Sequence, residues 1–415
     1  MTDPEVRGAA KPGALFVSYD GMLEPLGQSQ VIAYLLALAD EYGIHLLSFE
    51  KTADLANQDA VQALEERLSD GGIRWRPMRY HKWPPLLSTV WDMFRGAAAC
   101  LRIARSERIT IFHGRNVICS AMTMPAARWV GGKMVADIRG FWVDERIDGG
   151  MIARGGIAHR ILKPIEKAAL QSADRIVTLT VSSIAHLRSD PRFGHPKAAI
   201  DVIPTCADLD RFRILSEPQR QPFVLGYIGS VGTWYLLDEM LRSFRFLREA
   251  IPDARLLIVN RNEHEHINQR AAALSIPAEA MEIIAASHGD MPRQIGRMTA
   301  GMALIKPCFS KIASAPTKLA EYLGCGVPCF GNLGVGDVGP FLNGERVGVA
   351  VEHFDDGSLR RGIQLLVSLC REDGLQERCR LAAERHFSLA SGVSAYRAIY
   401  RALASEANRA AGSSR

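Results

Sequence analysis

The alternation of two kinds of segment along the chain constrains the fold more than any other feature of the sequence. Thirteen short runs rich in valine and isoleucine are separated by stretches in which apolar residues recur with helical spacing. The runs are residues 14–19, 44–49, 73–78, 110–113, 133–138, 175–179, 199–204, 223–229, 254–260, 281–286, 302–307, 327–331 and 347–351. Strands that alternate with helices form parallel sheets covered on both faces, so the pattern predicts an α/β protein.

A polar stretch near the middle of the chain, residues 209–222, follows neither period and predicts a linker. Seven of the predicted strands precede it and six follow it. We therefore expect two Rossmann-like domains, with the boundary near residues 212 and 213. A length of 415 residues and a hydrophobic fraction of 47% suit two sizeable cores.

Charge and cysteine content exclude some classes of function. The 50 basic residues nearly balance the 45 acidic ones, which argues against nucleic acid as a partner but suits anionic ligands or an anionic membrane surface. The eight cysteines are scattered without CxxC pairs, so we expect neither a zinc site nor a disulfide framework. No signal peptide and no run long enough to span a bilayer is recognisable, so a cytoplasmic location is expected.

The segment SAPTKLAEYLGCGVPCFGN, residues 314–332, predicts a short helix that begins near a ligand. Pro316 suits the first turn, Thr317 and Lys318 lie at the helix start, and Glu321 falls on the face of Thr317. Free backbone N–H groups beside a hydroxyl and an ammonium form a natural anion site, which indicates a ligand that carries phosphate. An ordinary helix-to-strand corner explains the same residues equally well.

Loops that follow the first strand of each predicted domain form a second group of candidates, since ligands of parallel sheets bind beyond the carboxyl ends of strands. In DGMLEPLGQSQ, Gly27 allows close backbone approach and Gln28 offers hydrogen bonds, although a turn with a helix cap accounts for both. In GSVGTWY, Gly229 and Ser230 precede a helix and favour contact with phosphate. Neither loop has the dinucleotide-binding pattern GxGxxG.

The chain resembles the retaining glycosyltransferases of family 4. The resemblance runs from about residue 14 to residue 400 and rests on YDGMLEPLGQSQ, DIRGFWVDER, VIPTCADLDRF, and the pair GYIGSVGTWY and PTKLAEYLGCGVP. It implies the GT-B fold, in which two Rossmann-like domains with parallel sheets face each other across a cleft. The implied domains are an acceptor-binding domain over residues 1–212, a nucleotide-sugar-binding domain over residues 213–390, and a helix and tail over residues 391–415 that cross back to the first domain.

Donor contacts are carried over from the family one residue at a time. Glu321 matches the second of two family glutamates, which usually contacts the ribose, but Ala313 stands at the position of the first, which contacts the donor sugar. The Arg and Lys that relatives present to the diphosphate are also absent after the first strand of the second domain. We therefore expect Lys306, Lys311 and Lys318 to supply the positive charge, with surface lysines as the alternative.

Further candidates follow two strands of the first domain. Asp137 and Arg139 end a strand where relatives often carry a functional group, His113 ends the preceding strand, and Asp144 and Glu145 follow in one loop. We expect the first three to be catalytic and the last two to lie in the acceptor cleft. A surface ion pair beside a packed tryptophan, and a packed histidine, are the alternatives.

The expected function is transfer of a sugar from a nucleotide diphosphate sugar to a glycan or lipid-linked glycan, without metal or other cofactor. Such transfer needs little base catalysis, because the leaving diphosphate can assist deprotonation of the acceptor, so no nucleophile is expected. Residues 81–105 carry an apolar stripe with nearby basic residues, which suits peripheral contact with the inner face of the membrane, but a helix that covers the first sheet is the favoured explanation. A nucleotide-sugar epimerase and a non-catalytic nucleotide-sugar binding module are the other functions considered.

Overall fold

The first half of the chain forms a seven-stranded parallel sheet. The computed structural model describes residues 11–215 and 222–413. Strands lie in the order β3-β2-β1-β4-β5-β6-β7. Their bounds are β1 Gly13–Ser18, β2 Gly43–Glu50, β3 Ile73–Arg79, β4 Ile109–Arg115, β5 Lys133–Asp137, β6 Arg175–Thr178 and β7 Ala199–Val202.

The second half forms a six-stranded parallel sheet with the order β10-β9-β8-β11-β12-β13. Its strands are β8 Val224–Ile228, β9 Arg255–Val259, β10 Met281–Ile284, β11 Ala300–Ala303, β12 Cys329–Asn332 and β13 Gly348–Val351. In both sheets the strand order reverses beside the first strand, between β1 and β4 and between β8 and β11. Such a reversal opens a crevice at the carboxyl ends of the strands, which is where ligands bind in this architecture.

Helices cover both faces of each sheet. Those of the first domain are α1 Pro25–Gly27, α2 Ala33–Leu38, α3 Thr52–Ala56, α4 Gln58–Asp70, α5 Pro85–Ser106, α6 Val117–Val130, α7 Trp142–Asp148, α8 Ile157–Ser172 and α9 Ser182–Ser189. The remaining helices are α10 Leu237–Ala250, α11 His264–Ala273, α12 Met291–Ile295, α13 Thr317–Gly324, α14 Val338–Glu345, α15 Asp356–Leu369, α16 Leu375–Phe387 and α17 Leu389–Ser413. A π-helical stretch, Gln28–Ile32, joins α1 to α2, and a 3-10 stretch, Phe309–Ala313, precedes α13.

The predicted fold class is confirmed, and each of the thirteen predicted strands is present. Residues 302–307 were expected to form a strand, but β11 begins and ends earlier. The reason is that the N–H of Ile305 donates to the side-chain oxygen of Asn332 rather than to a neighbouring strand. Residues 216–221 of the predicted linker, residues 1–10, and residues 414 and 415 lie outside the described residues.

The C-terminal helix α17 returns to the first domain and packs against α2 and β4. Tyr396 and Tyr400 of α17 are buried there, and Tyr400 packs edge-on against Tyr42. Arg401 forms two hydrogen bonds to the carboxylate of Glu41. No helix in the described part of the chain is both long enough and apolar enough to span a bilayer.

Candidate active site

Three loops at the carboxyl ends of β8, β9 and β10 enclose a cavity of about 310 Å³ that faces the first domain. Its lining residues are Pro25, Gly229, Ser230, Val259, Asn260, Arg261, Asn262, Glu263, Ala286, His288 and Met291. Gly229 has a φ of +114°, a conformation that residues with a Cβ rarely adopt. Asn260 holds the loops together, because its side-chain amide donates to the carbonyl of Gly229 at 3.0 Å and to Glu263 at 2.7 Å. Backbone at Gly229 and Ser230 therefore borders a rigid concave surface.

A buried ammonium lies next to this loop. Lys318, in the first turn of α13, is 7% exposed and lies over the rings of Tyr227 at 4.0 Å and Tyr235 at 4.1 Å. No atom among residues 11–215 and 222–413 accepts a hydrogen bond from its Nζ. Nζ would lie 3.3 Å from a Cβ placed on Gly229. Burial lowers the pKa of Lys318 to about 7, although Glu321 acts in the opposite direction.

Glu321 lies one helical turn from Lys318 and titrates abnormally as well. Burial raises the pKa of its carboxyl to about 7, and the positive charges of Lys318 and Arg211 oppose that shift. Arg211 in turn donates to the carbonyl of His288 in the loop after β10. Thr317, at the start of α13, is partly buried. The contact of Glu321 with a ribose stays a prediction.

The other two lysines expected at the donor site have different surroundings. Lys306 is exposed, and its backbone N–H donates to the carbonyl of Trp234. Lys311 donates from Nζ to Glu145 at 2.5 Å and lies 4.0 Å from the centre of the Trp234 ring. Because Glu145 belongs to the first domain, the ammonium of Lys311 joins the two domains instead of being free for a phosphate.

The segment that contains Ala313 also contacts the first domain. The N–H of Ser310 donates to Asp148, and the hydroxyl of Thr180 donates to the carbonyl of Ile312. Ala313 is fully buried and belongs to an apolar cluster with Phe141. A carboxylate at position 313 would have to enter that apolar cluster, and Ala313 itself has no polar group with which to contact a sugar.

A second cavity, of about 410 Å³, opens in the first domain at the carboxyl ends of β1 to β5. Its lining residues are Tyr19, Asp20, Gly21, Glu24, Leu26, Phe49, Lys51, Tyr80, Arg115, Asn116, Arg139, Gly140, Trp142, Glu145 and Arg146. Aromatic rings and hydrogen-bonding groups both line it. Rings of this kind can stack on sugar faces, and cations beside them can hold an anionic group.

The arginines of this cavity differ in how far their charges are paired. Arg115 lies 3.3 Å from the carboxylate of Asp20. Arg139 lies 3.6 Å from Asp137. Arg146 stacks on Trp142, with its guanidinium carbon 3.4 Å from the ring centre, and forms no ion pair within the described residues. Burial lowers the pKa of Arg146, as expected for a cation that lacks a close partner.

Asp137 and His113, which were expected to be catalytic, are enclosed by the protein. Each is 1% exposed. Asp137 accepts a hydrogen bond from Tyr396 at 2.8 Å, and the ring of His113 lies 2.9 Å from the hydroxyl of Tyr400 and 3.4 Å from Asp137. In this structure neither side chain can touch a substrate, so the prediction that Asp137 and His113 act directly in catalysis is wrong. Both lie behind Arg139, which does line the cavity.

Charge and burial determine how this enclosed group titrates. Burial by itself would raise the pKa of Asp137, but Arg139, His113 and Arg115 together hold it well below its usual range. Burial lowers the pKa of His113, and Asp137 only partly offsets that shift. The cluster therefore contains a charged carboxylate and a neutral imidazole at neutral pH.

Asp144, expected in the acceptor cleft, points into the protein instead. It is 1% exposed and accepts from Lys163 at 2.5 Å and from Arg192 at 3.3 Å. Lys163 also donates to Glu166, whose carboxyl pKa burial raises to about 7. The Asp144 prediction is wrong, because α7 turns this carboxylate towards α8. Glu145, the next residue, does line the cavity.

Gly27 and Gln28 brace their own loop. A Cβ on Gly27 would lie 2.1 Å from the carbonyl oxygen of Gly21, so close packing of the chain on itself accounts for this glycine. Gln28 donates to the carbonyl of Met22 at 2.6 Å and accepts from Arg67 at 2.8 Å. The expected contact of Gly27 and Gln28 with a ligand is therefore not seen, and both residues support the loop that borders the first-domain cavity.

Sequence reasoning missed several residues that shape the two cavities. Tyr19, Tyr80 and Arg146 line the first-domain cavity, and Asn260 links the loops after β8 and β9. Position could have indicated these three residues, since Tyr19 and Asn260 end predicted strands and Tyr80 comes shortly after one. Arg146 carries no such signal, because it lies within a helix.

Comparison with known proteins agrees with this geometry. The model of Glycosyltransferase Family 4 matches residues 27–211. No curated protein matches the chain by sequence. The structure is similar to sucrose-phosphate synthase from Thermosynechococcus elongatus, with a TM-score of 0.72 and 14% identity over 95% of this chain and 100% of that one.

Two further structural neighbours differ in what their names describe. HepE from Anabaena, solved in complex with UDP and glucose, matches with a TM-score of 0.64 and 12% identity over 94% of this chain and 100% of that one. A Listeria monocytogenes protein described as a UDP-N-acetylglucosamine 2-epimerase matches with a TM-score of 0.60 and 13% identity over 96% and 98% of the two chains. The chain thus has the GT-B fold of glycosyltransferases. The resemblance predicted from the sequence is confirmed by the match of residues 27–211 to the model of Glycosyltransferase Family 4.

Proposed function

We propose that the protein transfers a sugar, with retention of configuration, from a nucleotide diphosphate sugar to a glycan or lipid-linked glycan. The observation that carries the proposal is the buried ammonium of Lys318, which has no hydrogen-bond or ion-pair partner among the described residues and adjoins the backbone of Gly229. Leaving an ammonium buried and unpaired is unfavourable unless a ligand compensates for it. A diphosphate bound between this cation and the loop after β8 would do so.

The chemistry proposed for the site follows from position and charge. Lys318 and the start of α13 would stabilise the negative charge that grows on the leaving diphosphate. Glu321 would bind the ribose, and the loop after β10 would border the base. HepE, a structural neighbour, was solved with UDP, which supports a uridine nucleotide as the first donor to test. The proposal invokes neither a metal nor another cofactor.

A thermal-shift panel of UDP, GDP, ADP and CDP with their common sugar conjugates tests the donor site. We expect one nucleotide series to raise the unfolding temperature by several degrees, since a ligand that binds only the folded state stabilises it by about 2.7 kcal/mol at a hundred times its Kd. The Glu321→Ala variant should lose most of that shift. If no nucleotide at millimolar concentration stabilises the wild type, the donor site is misassigned.

The acceptor is proposed to occupy the first-domain cavity, with Arg146 and Arg139 facing an anionic or hydroxyl-rich group. We expect Arg146→Gln to raise the acceptor KM by about tenfold to a hundredfold, because a charge-assisted hydrogen bond contributes about 1.5–3 kcal/mol. Affinity for the nucleotide should not change. The comparison is made by acceptor-dependent kinetics and donor calorimetry, with Arg371→Gln, an exposed arginine of the second domain, as the matched control.

An epimerase of the same fold would not need this acceptor cavity. It would also convert a nucleotide sugar when no acceptor is present, so product analysis with donor alone distinguishes the two activities. A non-catalytic binding module would show donor affinity without turnover on any acceptor, and the alanine at position 313 is the feature that favours it. We place the protein in the cytoplasm.

A further inference from the structure

Helix α5 leaves one apolar face uncovered. Trp83 just before the helix is 81% exposed, and Leu87 and Phe94 on the helix are each 68% exposed. The opposite face of α5 contributes Cys100 and Ile103 to the core beneath the first sheet. Coverage of the sheet was the favoured explanation for the apolar stripe, and it is wrong for the tryptophans and for Phe94, which point away from the protein.

Apolar side chains on a second segment of the same helix layer are exposed as well. Helices α5 and α8 both pack against α6, so their outward sides belong to one surface of the domain. Met151, before α8, is 60% exposed and Ile157, at its start, is 76% exposed. The residues that make up this surface, called the outer face below, are Trp83, Leu87, Val90, Trp91, Phe94, Met151, Ile157 and Ile161.

The charges around the outer face have one sign. In residues 80–106, 117–130 and 149–172 the acidic residues are Asp92 and Glu166, and both are buried. The same segments expose a series of cations, namely Lys82, Arg102, Arg105, Arg128, Arg154, Arg160 and Lys167, of which Arg154 lies 4.0 Å from the largely buried carboxylate of Asp148. Aromatic and aliphatic side chains ringed by cations without a single exposed carboxylate are complementary to an anionic lipid surface.

The outer face adjoins the mouth of the acceptor cavity. Tyr80 lines that cavity, and Trp83 lies only a few positions after it in the sequence. Trp142 and Arg146 line it on another side, and the chain runs from them to Met151. A bilayer in contact with both segments would therefore lie beside the opening through which an acceptor enters.

We propose that the outer face docks on an anionic bilayer and draws the acceptor, an amphiphile with an anionic headgroup, from it. The identification of the acceptor rests on the proposed function, whereas the docking does not. Trp83 and Trp91 sit at the level of the headgroups, Leu87 and Phe94 enter the acyl boundary, and the surrounding cations contact anionic headgroups. A second copy of the chain is a poorer occupant, because a symmetric pairing would bring the same cations together.

Vesicle co-flotation tests the docking with the full chain and needs no knowledge of the acceptor. We expect binding to vesicles of equal parts phosphatidylglycerol and phosphatidylcholine, and little binding to phosphatidylcholine alone. High salt should weaken the binding, since the electrostatic part is screened. The Leu87→Ser/Phe94→Ser variant should bind about tenfold or more weakly, as two side chains no longer enter the acyl boundary. Leu365→Ser/Leu381→Ser, at exposed leucines of the second domain, should bind like the wild type.

The outcomes separate the docking from the proposed function. Nucleotide-induced thermal shifts should be equal in wild type and both double variants, because the substituted side chains are exposed and remote from the donor cavity. Equal binding of the Leu87→Ser/Phe94→Ser variant and the wild type to anionic vesicles would overturn the docking. The docking would also be overturned if the wild type formed dimers in sedimentation experiments without binding vesicles, and if the Leu87→Ser/Phe94→Ser substitution dissociated those dimers. A second copy of the chain would then be the occupant of the outer face.

Discussion

Replacement of Lys318 by methionine is expected to reduce kcat/KM for the nucleotide sugar by about a hundredfold to a thousandfold, the usual effect of removing one preorganised charge from a transition state. The same substitution should raise the unfolding temperature of the ligand-free protein by a few degrees. Methionine fills the space beside Tyr227 and Tyr235 without burying an unpaired charge. Steady-state kinetics and thermal unfolding of one preparation measure both effects.

Titration of Lys318 makes donor affinity depend on pH. Because burial lowers the pKa of Lys318 to about 7, much of the ligand-free protein is neutral at this site above pH 7. A bound diphosphate favours the charged form, so binding must take up a proton there. Affinity should then fall as pH rises from 7 to 9, by at most about tenfold per pH unit. Calorimetry in buffers of different ionisation enthalpy detects the proton.

Two variants assign these effects to Lys318. Lys306→Met, which removes an exposed lysine on the same side of the sheet, should retain donor affinity and stability. Glu321→Gln removes the neighbouring group on α13 whose pKa also lies near 7, and proton uptake should persist in it. Full activity of Lys318→Met, or a fall in its unfolding temperature, would show that the ammonium has a partner in the folded protein and does not await a ligand.

Strand positions were predictable because they depend on local properties of the chain. Runs such as 133–138 and 175–179 combine β-branched residues with turn residues close to their ends, and these are visible without any tertiary contact. The residues at which β11 and β12 begin and end were harder to predict from the sequence. Pro328 has no N–H, and its carbonyl pairs with Gly301, so β12 begins only at Cys329.

Side-chain roles depend on contacts between distant parts of the chain, which the sequence does not display. His113 and Asp137 resemble site residues because each ends a parallel strand. Their partners Tyr396 and Tyr400 arrive from α17, near the other end of the chain. Similarly, no local feature of the sequence shows that Asp144 accepts a hydrogen bond from Lys163 and is shielded from solvent. Lys318 was predicted from helix-start chemistry alone, but its burial between two tyrosines required the structure.

Replacement of Asp137 by asparagine is expected to lower the free energy of unfolding by about 3–5 kcal/mol, the range found when one partner of a buried ion pair is removed. The amide can still accept from Tyr396, but it leaves the guanidinium of Arg139, with a side chain 11% exposed, without its anion. Activity should fall as well, since Arg139 lines the first-domain cavity that is proposed to hold the acceptor. Denaturant unfolding at neutral pH gives the loss of stability.

The dependence of that loss on pH identifies the carboxylate as its source. The pKa of Asp137 is held well below its usual range in the folded protein, so its contribution is complete above the unfolded-state pKa of about 3.9 and disappears as pH falls below it. The difference between wild type and Asp137→Asn should therefore be constant near neutral pH and shrink below about pH 4.

Tyr396→Phe provides the matched control for this cluster, because it removes a hydroxyl from Asp137 without touching the pair with Arg139. We expect it to cost about 1.5–3 kcal/mol, the value of a hydrogen bond to a charged group. In the Asp137→Asn background the same change should cost about half as much or less, since the acceptor is then neutral. Additive effects of the two substitutions would mean that Tyr396 does not stabilise the charge of Asp137, and the link from α17 to the acceptor cavity would be lost.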